Sequence, residues 1–172
     1  SHDVGHTGIT LENKIKAVKA FSKYAKVFIT SEQKLIPELD PHRISIPPEK
    51  IHHAMAFATM LYGESATMAS ECAVLGVPSI FLDNDGRGYT NEQERKYNLV
   101  YNFTESPEDQ KKSIERGIDI LSNTSPEQVK SNWNKMMQEK IDVTRFLVWF
   151  VKNYPESKNT MIEDPDYDLN FR

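Results

Sequence analysis

The stretch Thr59 to Asp83, TMLYGESATMASECAVLGVPSIFLD, constrains the fold more than any other. A short apolar run, Met60–Tyr62, reaches Gly63, and small and polar residues follow through Thr67. A mixed segment runs to Leu75, Gly76 and Pro78 stop it, and Ser79–Leu82 is largely apolar again. The pattern predicts strand, tight turn, helix, strand. Two strands joined through one helix need a crossover, so the sheet is expected to be parallel. Small residues at the strand-to-helix turn would let an anion approach the free N–H groups of the helix start.

The rest of the chain extends this pattern. Leu11, Ile15, Val18 and Phe21 recur at helical spacing and predict an amphipathic helix over 11–24, with Thr10 as its N-cap. Lys26–Ile29 and Arg43–Ile46 read as short strands, and Pro47-Pro48-Glu49 opens a helix carrying Ile51, Ala54, Met55 and Ala58. Asp83–Thr90 is a loop, Asn91–Lys96 a short helix, and Leu99–Tyr101 a last strand. Ser106-Pro107-Glu108-Asp109 and Ser125-Pro126-Glu127-Gln128 are two helix-start signals. Phe146–Val151 is apolar enough to require a packing partner, and Tyr167 and Phe171 suggest docking on a surface. The expected architecture is a doubly wound α/β fold, a Rossmann-like parallel sheet with helices on both faces, over residues 1–154. Residues 155–172 are expected to form an extended tail.

Composition removes several classes of function. The 172 residues carry a net charge of -4 with basic residues dispersed, so no nucleic-acid partner is expected. No apolar run approaches the roughly 18 residues of a membrane span, and no secretory leader is evident. The single cysteine, Cys72, permits no internal disulfide and points to a reducing, cytoplasmic setting. The opening Ser1-His2-Asp3 without an initiator Met reads as a processed chain or a piece of a longer one.

Several residues are candidates for chemistry, each with a bland counterpart. Gly63, Ser65, Ala66 and Thr67 form either an anion-binding turn or an ordinary strand-to-helix turn; neither GxGxxG nor a Walker sequence is present. Glu64 would oppose a bare phosphate. Glu71 either accepts from vicinal hydroxyls or is a solvated helix acid. His2, Asp3 and His6 offer metal or acid–base chemistry, or simply a structural loop, and Thr30-Ser31-Glu32 would form a second pocket wall. His52 and His53 read as surface residues. No metal site is expected, and no tightly bound cofactor. Asp83 and Asp85 supply the acids of a response-regulator-like domain, but no strand-end Lys accompanies them.

The segment GESATMASECAVLGVPSIFLD resembles the nucleotide-binding half of GT-B enzymes, above all the UDP-N-acetylglucosamine 2-epimerase type. HDVGHTG at 2–8, FITSE at 28–32, ISIPPEKIHHAM at 44–55 and YTNEQERKYNLVYNF at 89–103 extend the resemblance to the C-terminal half of the DUF354 glycosyltransferase-like proteins. The resemblance covers about residues 2–121. It implies a nucleotide-diphosphate-sugar-binding half of a glycosyltransferase, with an epimerase-like or a non-catalytic binding domain of the same fold as alternatives. It implies a diphosphate on Gly63, Ser65, Ala66 and Thr67, and a ribose, from a nucleotide sugar such as a UDP-sugar, on Glu71. His2, Asp3, His6, Ser31, Glu64, Asn91 and Glu92 would line the cleft. Ala66-Thr67 departs from the two glycines of the epimerases. A missing N-terminal Rossmann-like domain is implied as partner, and the chain alone is then expected to be inactive.

Overall fold

A computed structural model describes residues 6–31 and 34–172. The chain divides into two compact units, one ending at Trp133 and one running Asn134–Arg172. In the first, helix α1 spans Leu11–Phe21 and α2 Ile51–Ala56. Strands β1 (Leu61–Gly63), β2 (Ser79–Leu82) and β3 (Val100–Phe103) alternate with α3 (Ala66–Val74) and α4 (Gly88–Arg95), and α5 (Pro107–Asn123) follows. Helix α6 (Pro126–Glu139) begins in this unit.

The strands form one parallel sheet in the order β1-β2-β3, with Tyr62 beside Ile80 and Ile80 beside Tyr101. Side chains alternate across it. Ile80 and Leu82 pack with Ile9, Ile120, Tyr62 and Tyr101 on the side of α1 and α5. Ser79 points the other way, and its hydroxyl donates to the Ala69 carbonyl of α3 at 2.8 Å. Helix α3 ends as its sequence dictates. Gly76 takes φ 79°. Its N–H reaches Ala73 O, and that of Val77 reaches Cys72 O. These two bonds satisfy the last carbonyls in the left-handed cap that glycine alone adopts without strain.

The doubly wound, Rossmann-like sheet expected from the sequence is not formed, nor is a GT-B half-domain. The described residues are 57% helix and 8% strand, with three strands in an open sheet. The segments expected as strands at 26–29 and 43–46 meet only in an isolated parallel bridge, Ile29 to Arg43. Two bonds join them, Ile29 N–H to His42 O and Ile44 N–H to Ile29 O. The next ladder partners are diverted: His42 N–H donates to Leu39 O, the His42 ring lies 3.2 Å from Val27 O, and Ser31 O accepts from the Arg43 guanidinium. A strand order that runs one way also has no reversal, and the ligand crevice of doubly wound sheets lies at such a reversal.

Helix α5 starts where its cap signal falls. Ser106 Oγ accepts from Asp109 N–H at 3.2 Å. The Asp109 carboxylate accepts from the Thr104 hydroxyl at 2.5 Å and the Thr104 N–H at 3.0 Å. These bonds, the hydroxyl first, hold the Asp109 carboxyl below the ordinary aspartate range. A depressed folded-state pKa stabilises above the unfolded value and is lost as pH falls through the folded one. Asp109→Asn is expected to cost about 1 kcal/mol at neutral pH, as cap losses do. Urea midpoints measured from pH 7 downward should converge with those of the parent in acid. A constant difference across that range would refute the assignment.

In the second unit, α7 (Val143–Lys152) and α8 (Glu156–Glu163) are followed by a 3-10 turn, Tyr167–Phe171. Residues expected as an extended tail are therefore largely helical. Tyr167 stacks on Trp149 at 4.8 Å and Phe171 meets Phe146 edge-on at 5.6 Å. That supplies the partner for the inner face of α7, while Val143, Leu147 and Val151 stay exposed. Among the described residues, no helix is long and apolar enough to cross a membrane.

Candidate functional site

At the turn after β1, two side chains make protein contacts. Ser65 is the N-cap of α3, and its hydroxyl accepts from Met68 N–H at 3.3 Å. Glu64 accepts from the Ile9 N–H and pairs with Lys14 at 3.4 Å, tying the N-terminal segment to this turn. Thr67 is exposed. The Glu71 carboxylate lies 3.2 Å from His52 Nε2, and that of Glu92 2.9 Å from Lys96 Nζ. Ser31 uses its carbonyl to accept from Arg43, and Asn91 sits half-buried on α4. His2, Asp3 and Glu32 lie outside the described residues.

His6 behaves differently. Its Nδ1 lies 3.1 Å from Asp83 Oδ1 and 3.3 Å from Glu105 Oε1, and its Nε2 lies 3.4 Å from Asp85 Oδ2. One ligand atom each from His6, Asp83 and Glu105 fit within 4.8 Å of one another. The sheet makes this meeting possible. Asp83 follows the last residue of β2, where its N–H donates to Phe103 O, and Glu105 stands two residues beyond β3. Adjacent parallel strands thus deliver two carboxylates to the same carboxyl edge. The segment carrying His6 is fastened alongside. Thr7 donates its N–H and hydroxyl to Glu105 Oε2, at 2.9 and 3.1 Å, and Thr10 donates its N–H to the buried Gln110. Ile9 plugs into the core between the sheet and α5.

The two acidic loops are clasped together. Asn84 donates to Glu105 Oε2 at 2.9 Å and accepts the Glu105 N–H at 3.0 Å. Asp83 Oδ1 accepts the Asp85 N–H at 2.9 Å, and Arg87 stands 3.5 Å from Asp83 Oδ2. The Glu105 side chain is 5% exposed, yet its oxygens meet donors on both sides. Burial pushes its pKa up, but bonds from the Thr7 and Gly8 N–H groups, the Thr7 hydroxyl and His6 outweigh this and lower it. For His6, desolvation works against the charged ring, and Asp83, Glu105 and Asp85 overcome it and raise the pKa. Three carboxylates thus surround one imidazole, with Arg87 beside Asp83.

The opposite edge of the sheet carries an apolar groove of about 410 Å³. Leu75, Pro78, Ile120, Val129 and Trp133 line it, with Lys130 its one charged group. Its lining holds no His, Cys, Asp or Glu.

No family model, curated protein or solved structure matches the chain. The readings as a nucleotide-sugar-binding half of a GT-B glycosyltransferase, as an epimerase-like domain, or as a binding domain of that fold, fall with the fold. The three-stranded sheet, whose order runs one way, provides no crevice of that type. Glu105 was invisible to motif reasoning. The signal that marks it is positional, an acid just past the end of β3 answering Asp83 at the end of β2.

Proposed function

We propose that the chain is a divalent-cation-binding domain with zinc as the favoured ion, held by His6 Nδ1, Asp83 and Glu105. The spacing carries this reading. Tetrahedral ligands at zinc's usual bond lengths stand about 3.3 Å apart, and His6 Nδ1 lies 3.1 and 3.3 Å from the two carboxylate oxygens. Two carboxylates and a neutral imidazole match a divalent charge, and their nitrogen and oxygen donors suit zinc. The second shell is present too, since Thr7 and Asn84 orient Glu105 and the Asp85 N–H orients Asp83. Three protein ligands leave a fourth place for water or an exogenous donor.

Calorimetric titration of the chain with zinc chloride tests the proposal. One zinc per chain is expected, with binding lost in His6→Ala and weakened at least a hundredfold in Glu105→Gln. Failure of the parent chain to bind zinc at about 100 µM, a Kd worth roughly 5.5 kcal/mol, would overturn it. The same cluster favours a second reading through its electrostatics. An imidazolium bridging three carboxylates would staple residues 6–10 to the sheet edge without any ion.

A further inference from the structure

We infer that Asp85 is a positioning residue of this site, fixing the ring nitrogen through which His6 binds the ion; the inference rests on the metal reading above. His6 presents its two nitrogens to different groups. Nδ1 faces Asp83 and Glu105, the two carboxylates that converge on it, whereas Nε2 lies 3.4 Å from Asp85, its one carboxylate contact among the described residues. A neutral imidazole carries one proton, so a ring that ligates through Nδ1 carries it on Nε2. A carboxylate beside that nitrogen favours the proton there by its charge, biasing the tautomer and making the ligating nitrogen more basic.

The loop separates the two jobs of Asp85. Its backbone N–H holds Asp83 Oδ1 at 2.9 Å, while its side chain is left to His6. The side chain is 68% exposed, so replacing it opens no hole in the core. Asp85→Asn and Asp85→Ala both keep the backbone N–H. Their effects therefore report on the carboxylate and not on the placement of Asp83.

The experiment pairs zinc titration with nitrogen-15 NMR of the His6 ring on the full chain, and with cadmium-113 as a spin-active substitute. In the parent chain the metal is expected on Nδ1 and the proton on Nε2. Asp85→Asn and Asp85→Ala should weaken zinc binding about tenfold, the lower end of second-shell losses, with one ion per chain retained and a mixed tautomer in the ion-free ring once it has been titrated to the neutral form. Metal on Nε2 in the parent, or unchanged affinity and tautomer in both variants, would overturn the inference while leaving the metal reading intact. No zinc binding by the parent would remove both.

Discussion

Phe81→Ala is expected to lower the unfolding free energy of the sheet-containing unit by about 4 kcal/mol, the usual cost of deleting a fully buried phenylalanine. Phe81 sits in the central strand, paired with Gly63 on one side and Asn102 on the other, and is 2% exposed. It shares the α3–α4 side of the sheet with Ser79, whose hydroxyl is bonded to α3. Three short strands have little capacity to close over the space, so the cavity contribution should persist. A domain's whole stability is of order 10 kcal/mol, so this one change removes a large part of it. Urea unfolding, with hydrogen exchange of the β2 amides to localise the effect, gives the measurement. A loss below about 1.5 kcal/mol would mean that this face is not the packed interior described above.

Gly117→Val should cost about 3 kcal/mol, from crowding instead of a cavity. Gly117 is buried on the face of α5 that meets α1. A Cβ there would lie 2.6 Å from two ring carbons of Phe21 and 3.3 Å from the Met60 methyl. Phe21 cannot easily retreat. It is 6% exposed and packs edge-on to Tyr62 at 5.2 Å, and the Tyr62 hydroxyl is bonded to Ser113 at 2.9 Å. Helix propensity alone would favour alanine over this glycine by about 1 kcal/mol. The sign of Gly117→Ala therefore decides the matter: stabilisation would show that the helices do not approach so closely. Combining Gly117→Ala with Phe21→Leu should restore part of the loss, since the two sites share one contact.

The metal reading and the staple reading differ in what neutralises the acids at the sheet edge. In the absence of an ion, His6 is the positive group nearest to both Asp83 and Glu105, and its raised pKa records this. An ion must displace the ring's proton to bind through nitrogen. The proposed titrations separate the two cases without depending on any catalytic assay.

Contiguous residues determined the local elements. The strand–helix–strand unit was legible because small residues follow Gly63, and Gly76 and Pro78 end the helix within one short stretch; that Ser65 caps α3 came from the structure. The start of α5 was legible for the same reason, with Ser106, Pro107 and Asp109 side by side. Helix α1 and the parallel sense of β1 and β2 also followed from spacing and crossover length. Local patterns did not determine how many strands would pair, because at 26–29 and 43–46 the next ladder groups are taken by a turn, where His42 N–H donates to Leu39 O, and by a side chain, where Ser31 O accepts from Arg43. Nor did they show that His6 meets Glu105, 99 positions later. That contact depends on strand register, on Ile9 entering the core, and on the clasp between Asn84 and Glu105. Such juxtapositions come from packing free energy summed over the whole unit, and no short run of residues contains it.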